Sequence, residues 1–410
     1  MKILVLNAGS SSQKSCLYDI NSLENIISPP SPLWEAIIDW TVSSNYGLLK
    51  AEAKGNKITL ELPISNRQTA IKTMLDTMRE GKTKVLNDLS DINVVGHRVV
   101  HGGSKYSQAI LITEEVKATI RELIPLAPNH NPAHLEGIES IEKINQEIPQ
   151  VAVFDTAFHR TIPDYGKIYP IPYEYYEQGI QRYGFHGISH EYVAQRTAEI
   201  LDHEVALHDR TLDSLRLITC HLGNGCSITA IKDGISVNTS MGFTPLEGVM
   251  MGSRSGSIDP AIVTYFMREY DYDNRVIDEI LNKKSGLLGI SGISGDLRTV
   301  LKAMEEGDIK GKLAVEMYIN RIQEVISSML PCLGGLDGLV FTAGVGENSA
   351  FIREKICDKL GFLGLKLDTE KNNQFCLDKN IATDDSAVKI LVVHTQEDWS
   401  IARQCYHLIR

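Results

Sequence analysis

An α/β fold made of two related halves is predicted by three features of this 410-residue sequence. Short apolar, β-favouring runs alternate along the chain with helical periodicities. Two segments of one design, a strand, a glycine-rich polar turn and a returning strand, stand about half a chain apart, at Ile3 to Tyr18 and at Leu217 to Ile231. A third glycine-rich segment follows an apolar strand and leads into a helix. Length agrees, because a chain of this size outgrows one ordinary core and divides into two or three packed units.

Taken in order, Ile3 to Leu6 reads as a strand broken by Asn7-Ala8-Gly9-Ser10-Ser11-Ser12, with a strand-like pattern resuming at Ser15 to Tyr18. Asn93 to Val100 reads as a strand ending in His97-Arg98-Val99-Val100-His101, and Pro149 to Phe154 as one ending at Asp155-Thr156. Polar residues at strand ends are where open α/β sheets bind ligands. Helical spacing is clearest in Glu114 to Leu126, His134 to Ile144, His190 to Leu201, Ile309 to Leu330 and Trp399 to Leu408. The second hairpin turns at His221-Leu222-Gly223-Asn224-Gly225. The strand Gly338 to Thr342 runs into a predicted loop, Ala343 to Ser349, and then a helix from Phe351. Ser28 to Pro32 and Asp202 to Ser214 read as surface excursions.

Hydrophobic residues at 43% and charged residues at 23% place the chain among soluble globular proteins rather than disordered or fibrous ones. A net charge of −11 opposes a polyanion, so nucleic acid is not an expected partner, although an acidic exterior tolerates a locally positive cleft for a phosphorylated small molecule. Seven cysteines, odd in number and without a CxxC pair, read as reduced thiols. The apolar start is too short for a signal-peptide core or a membrane span, and the expected location is cytoplasmic, with no membrane partner.

Three glycine sets carry the chemistry. Backbone amides of Gly9 to Ser12 can face phosphate oxygens, with Lys14 as a mobile charge and Asn7 as an oxygen for a metal-bound water. This is not the GxxxxGK[ST] loop, which is absent. One polar turn would need no ligand to explain it, but three such sets, each allowing close backbone approach, point jointly to phosphate. Arg98 lies in a β-like run, and Arg254 lies among small residues in Met251-Gly252-Ser253-Arg254-Ser255-Gly256, both suited to a planar anion. His130, His186 and His190 are set apart by the turn formers around them. A zinc reading of the His186/His190 pair lacks a cysteine or an HExxH pattern. Asp155 either holds a cation, orients a neighbour or caps a helix, and Glu397, ahead of the last helix, has the same open choice.

These motifs together resemble the acetate kinase family. The resemblance runs in family order from residue 3 to about 403, through Asn7 to Lys14, His97 to Gly103, Phe154 to His159, Arg182 to Gly187, His221 to Gly225, Met251 to Gly256 and Phe341 to Asn348. It implies two duplicated ribonuclease H-like (actin-like ATPase) domains with a cleft between them. The expected boundaries are 1–157, completed by the C-terminal helix at about 397–410, and 158–396, the second domain binding nucleotide and dimerising. It implies reversible transfer of the ATP γ-phosphoryl group to acetate, giving acetyl phosphate and ADP, with magnesium, or manganese in its place, as cofactor. A homodimer is implied as well.

Residue by residue, the resemblance assigns Asn7 and Glu397 to the metal and Arg98 to the substrate carboxylate. Asp155, His186, Arg254 and His130 become catalytic. Val100, Phe185 and Pro245, with the position of Asn129, line the methyl pocket. Ser10, Ser12, Lys14, His221, Leu222, Gly223, Asn224, Gly225, Asp296, Leu297, Arg298, Gly344, Val345, Gly346, Glu347 and Asn348 meet the nucleotide. The chain departs from the pattern at Gln13, Asn129, Ile188, Ser257 and the run Gln396-Glu397-Asp398. Asn129, polar where leucine is expected, bears on acid chain length, since one methylene in such a pocket is worth only about 1 to 3 kcal/mol. Two alternatives follow: a propionate kinase, and a nucleotide-binding regulator sharing the fold without an acid substrate.

Overall fold

The computed structural model describes every residue except 10–11, 24–28, 44, 64–66, 129, 205–213 and 375–376. The chain forms two units, one of Met1–Ala157 with Gln396–Arg410 and one of Phe158–Thr395.

The first unit contains β1 (Lys2–Ala8), β2 (Ser12–Asp19), β3 (Trp34–Asp39), β4 (Tyr46–Ala53), β5 (Asn56–Pro63), β6 (Val94–Val99), β7 (Ile110–Leu111) and β8 (Gln150–Phe154). They make one sheet in the order β5-β4-β3-β2-β1-β6-β8-β7. β1 to β5 form an antiparallel meander, whereas β6 and β8 run parallel to β1. Of the parallel members, β1 and β8 carry continuous apolar runs, as strands covered on both faces do: Ile3, Leu4 and Val5 are fully buried, and every residue of β8 is buried. One apolar cluster joins Leu4 and Leu6 to Trp34, Ile38, Leu49 and Met74. The C-terminal helix Glu397–Ile409 lies on β1 and β6.

Gly96 of β6 is what lets that helix approach. A methyl group there would stand 2.6 Å from Cys405 Sγ and 2.7 Å from Ile401 Cγ2. Gly96→Ala is expected to cost about 1–3 kcal/mol by overpacking, read as a melting temperature several degrees lower; an unchanged melting curve would refute the close packing.

The second unit holds β9 (Arg216–Leu222), β10 (Cys226–Lys232), β11 (Ile235–Thr239), β12 (Gly338–Thr342), β13 (Lys379–Asn380) and β14 (Lys389–Val392), ordered β11-β10-β9-β12-β14-β13. β9, β12 and β14 are parallel, while β10 and β11 return antiparallel. The run β3-β2-β1-β6-β8 thus recurs as β11-β10-β9-β12-β14, which is the duplication that the two hairpins predict. In each unit three parallel strands end side by side, and ligand groups of an open α/β sheet belong at such ends.

Two local expectations are corrected. The helix predicted to Leu126 stops at Glu122 and gives way to a 3₁₀ turn over Ile124–Leu126, because Pro125 has no N–H with which to continue the α-helical ladder. The segment from Ala343, predicted as a loop, is a short helix, Ala343–Asn348, starting directly from β12. Its first amide is satisfied by the Glu347 carboxylate at 2.9 Å, and Ala343 takes a left-handed φ of 63° to make the turn. Strands β3, β4 and β5 carry no motif and went unassigned in the sequence.

Candidate active site

In the first unit the chemistry begins at the ends of β1, β6 and β8. The parallel register pairs Leu6 with His97 and Arg98 with Val153, so Asn7 comes beside Arg98 while Asp155, two residues past Val153, lies diagonally ahead of it on the same face. Arg98 Nε and Nη2 donate to Asp155 Oδ2 at 3.1 and 2.6 Å, and Nη1 donates to Asn7 Oδ1 at 3.2 Å. Asp155 is 1% exposed. Burial works against the guanidinium's charge, but Asp155, then Glu397 and Asp398, outweigh it and hold the Arg98 pKa above its ordinary value. Three of the five guanidinium N–H groups are used in these bonds, and a planar fork with two more suits a carboxylate.

Asn7 links this cluster to the last helix. Its Nδ2 donates to Asp398 Oδ1 at 2.8 Å and to Glu397 Oε2 at 3.4 Å. The cap of that helix is Gln396, so Glu397 is not the capping residue. Asp398 was missed as a site residue in the sequence, where it stood only as the end of a variant run; its place beside an asparagine that answers it from another strand could not be read there. Burial raises its carboxyl pKa, opposed by the Asn7 hydrogen bond and by Lys14. Lys14 faces Asn7 across the β1–β2 hairpin, and Ser12 opens β2, its carbonyl accepting from Gly9 N at 2.7 Å. Ser10 and Asn129 lie outside the described residues.

Among the described residues no three His, Cys, Asp or Glu side chains gather as an all-protein metal cage. The oxygens of Asn7, Glu397 and Asp398 instead suit a hard divalent cation that keeps most of its water and takes phosphate oxygens. Val100, buried, follows Arg98 out of β6. His130 immediately precedes the helix Asn131–Ile144, and on that helix burial first, then the neighbouring His130 and Arg98, drive the His134 pKa well below its ordinary value. Burial keeps His97 and His101 neutral, with pKa values pushed down to about 4.

In the second unit His186 precedes the helix Gly187–Glu204 with φ at 56°, a left-handed backbone that costs a non-glycine residue energy and that clusters at functional sites. Its Nδ1 lies 2.8 Å from Ser227 Oγ, and its ring stacks on His221 at 4.1 Å between centroids. His221, the next-to-last residue of β9, pairs with Thr342 at the end of β12. Gly225 closes the turn to β10, and a methyl group there would lie 3.5 Å from Arg254 Nη1 and from His186 Cε1 and Nε2. The glycine therefore leaves open the point on which guanidinium and imidazole converge. Arg254 Nη1 also donates to the Pro245 carbonyl at 2.9 Å. Burial lowers the Arg254 pKa, though an arginine stays charged. The turn is held tightly: Gly223 N donates to Gly225 O at 3.1 Å, Leu222 is fully buried, and a methyl group on Gly252 would come within 2.4 Å of Asn224 Oδ1. Phe185, buried, accepts from His159 Nε2 at 3.0 Å through its carbonyl.

The remaining predicted residues have mainly local partners. Glu347 accepts from Ala343 N at 2.9 Å, Thr395 N at 3.1 Å and His394 Nδ1 at 2.7 Å. Burial opposes its charge, but His394 and the backbone donors prevail and lower its pKa. Buried Arg353 donates to the carbonyls of Gly346 and Glu347, both at 2.9 Å, and Asn348 donates to Gly344 O at 2.8 Å. The short helix with Gly344, Val345 and Gly346 is thereby fixed at the end of β12. Asp296 caps the helix Leu297–Glu305 by accepting from Arg298 N at 2.9 Å, with the exposed Arg298 side chain folded back on it and Leu297 buried behind. The His186/His190 pair is no zinc site: both rings bond one hydroxyl, that of Ser227.

Comparison with known proteins places this geometry. Residues 2–403 match the Acetokinase family. The chain is 57% identical over 407 residues to an acetate kinase of Gloeothece citriformis, covering 99% of each. The crystal structure of Porphyromonas gingivalis acetate kinase superposes with a TM-score of 0.89 at 40% identity, covering all of both chains. A propionate kinase from Francisella tularensis gives 0.87 at the same 40% identity, over 98% of each. A match across nearly the whole length, with the paired strand-end groups described above, leaves one conclusion: the chain belongs to the acetokinase family.

Proposed function

We propose that this chain is an acetate kinase, transferring the γ-phosphoryl group of ATP reversibly to acetate and yielding acetyl phosphate and ADP. The observation that carries the reading is the Arg98–Asp155–Asn7 cluster, a half-buried cationic fork with two N–H groups beyond those it shares with Asp155 and Asn7, at the end of a sheet beside Glu397 and Asp398. A carboxylate is already ionised at neutral pH, so the acceptor needs no general base. Asp155 therefore acts on Arg98, orienting and charging it, and takes no proton. One acetate oxygen forms the new bond to phosphorus while the bond from phosphorus to the β,γ-bridging oxygen breaks, its electron pair leaving with ADP. His186 and Arg254 meet the equatorial oxygens of the transferred group, and His130 supports the acid from the Arg98 side.

The backbone of the His221 to Gly225 turn, with Lys14, Ser10 and Ser12, contacts the phosphates. The amides of Gly344 to Asn348 and the Asp296-Leu297-Arg298 segment contact the rest of the nucleotide, and the internally bonded Glu347 carboxylate shapes its loop. Val100, Phe185 and Pro245 accommodate the methyl group. Asn7 and Glu397, together with Asp398, would hold magnesium, which would supply neutralisation of phosphate charge. A homodimer would cover the helix Ala261–Glu269, which buries none of its residues and exposes Tyr265 and Met267 beside Tyr270 and Tyr272. A cytoplasmic location is supported by the free thiols of Cys16, Cys220, Cys226, Cys332, Cys357 and Cys405. Among the described residues no helix is long and apolar enough to cross a membrane.

The Porphyromonas gingivalis acetate kinase and the Francisella tularensis propionate kinase are each 40% identical to this chain, so acid preference is tested directly. Protein is incubated with magnesium-ATP, hydroxylamine and acetate, propionate or butyrate, and acyl hydroxamate is measured against a magnesium-free control. Acetate is expected to give the highest kcat/KM. Higher turnover of propionate would make this a propionate kinase, and no product from any acid would remove the kinase reading.

A further inference from the structure

Behind His186 runs a chain of hydrogen bonds that none of the assigned roles uses. His186 Nδ1 lies 2.8 Å from Ser227 Oγ, and the same oxygen lies 2.7 Å from His190 Nε2. His190 Nδ1 lies 2.7 Å from Thr219 Oγ1. Ser227, His190 and Thr219 are all completely buried, so each proton in the chain must be placed among these atoms.

The distances set the direction. The Thr219 hydroxyl has two acceptors within reach, His190 Nδ1 at 2.7 Å and the Thr229 carbonyl at 3.5 Å, and only the first is a normal O–H hydrogen bond. Thr219 therefore donates to Nδ1. His190 is neutral, because burial and then the nearby His159 and His221 drive its pKa well below the ordinary value. With Nδ1 accepting, its single proton sits on Nε2 and is donated to Ser227. The one Ser227 proton is then left for His186 Nδ1, and the proton of a neutral His186 must be on Nε2. That nitrogen is on the ring edge facing Gly225 and Arg254 Nη1.

We propose that Thr219, His190 and Ser227 are positioning residues that hold His186 as the neutral Nε2–H tautomer, aimed at the transferred phosphoryl group; the catalytic consequence rests on the kinase reading above, whereas the tautomer does not. A neutral donor beside Arg254 makes chemical sense. It supplies a hydrogen bond without setting a second full positive charge against the guanidinium, and Nδ1 is already engaged, so the ring cannot turn its lone pair to the phosphate.

The test is nitrogen-15 NMR of the full-length protein labelled at histidine, with His186→Gln and His190→Gln used for assignment. Both rings are expected as Nε2–H tautomers with a hydrogen-bonded Nδ1. A His186 that carries its proton on Nδ1, or is doubly protonated at neutral pH, would overturn the proposal. Ser227→Ala is expected to mix the His186 tautomers and to lower kcat about tenfold with the KM for ATP little changed, short of the roughly 10²–10³ lost when an oriented donor is itself deleted. Ser227→Thr, which keeps the hydroxyl, is expected to retain both the nitrogen shifts and the rate. Unaltered shifts and kcat in Ser227→Ala would likewise overturn it. Wild-type shifts as expected, with no acyl hydroxamate from any acid, would strike the kinase reading and leave the tautomer standing.

Discussion

Arg98→Ala is expected to lower acetate-dependent phosphoryl transfer on the order of 10³-fold, with the loss in kcat/KM for acetate, because the variant lacks the cation proposed to hold the carboxylate. The same substitution leaves Asp155, 1% exposed, as a buried charge without its ion-pair partner. Breaking a buried pair from one side costs about 3–5 kcal/mol, so the protein should also be markedly less stable. The two effects separate in a double variant. Arg98→Ala with Asp155→Asn removes the uncompensated charge and should regain most of the stability while regaining no activity. Steady-state assays and chemical denaturation of the three variants check both halves. Acid-independent ATP turnover unchanged in Arg98→Ala would favour a nucleotide-binding regulator instead, and a full-rate Asp155→Asn would refute the orienting role of that carboxylate.

Arg254→Ala should have the second largest effect, a fall in kcat of roughly 10²–10³ with a much smaller change in the KM for ATP. The reason is its position. Nη1 is held by the Pro245 carbonyl at 2.9 Å and lies at the same open point as His186 Nε2, over Gly225. In the role proposed for it, Arg254 meets charge on the transferred phosphoryl group, which differs most between ground state and transition state. Arg254→Lys would keep the charge but lose the fork, and should recover little of the rate. Equal losses in kcat and in ATP affinity would instead assign Arg254 to ordinary nucleotide binding.

Much of this protein was legible before any fold was seen. The alternation of apolar strands with helical spacing indicated α/β structure, and the two hairpins indicated duplication, because both rest on local periodicity and turn chemistry that a linear chain carries openly. The glycine turns and isolated arginines marked phosphate chemistry for the same reason. The partners of those groups were not legible. Asp398 meets Asn7 only because β1 passes the start of the last helix, a separation of hundreds of residues. Arg98 was assigned to a carboxylate, but that Asp155 and Asn7 take three of its N–H groups depends on strand register.

Glu347 shows the same limit from the other side. Its motif suggests a ligand contact, whereas its carboxylate is taken up by Ala343, His394 and Thr395. The Ser227–His190–Thr219 chain was wholly hidden, since serine and threonine in strands look like any half-polar β residues until burial forces each proton to a single place. Residue type and spacing thus told which chemistry the chain carries. Which atoms share a proton or a charge was decided by the packing of distant strands, because hydrogen bonds and ion pairs act over a few ångströms and not along the sequence.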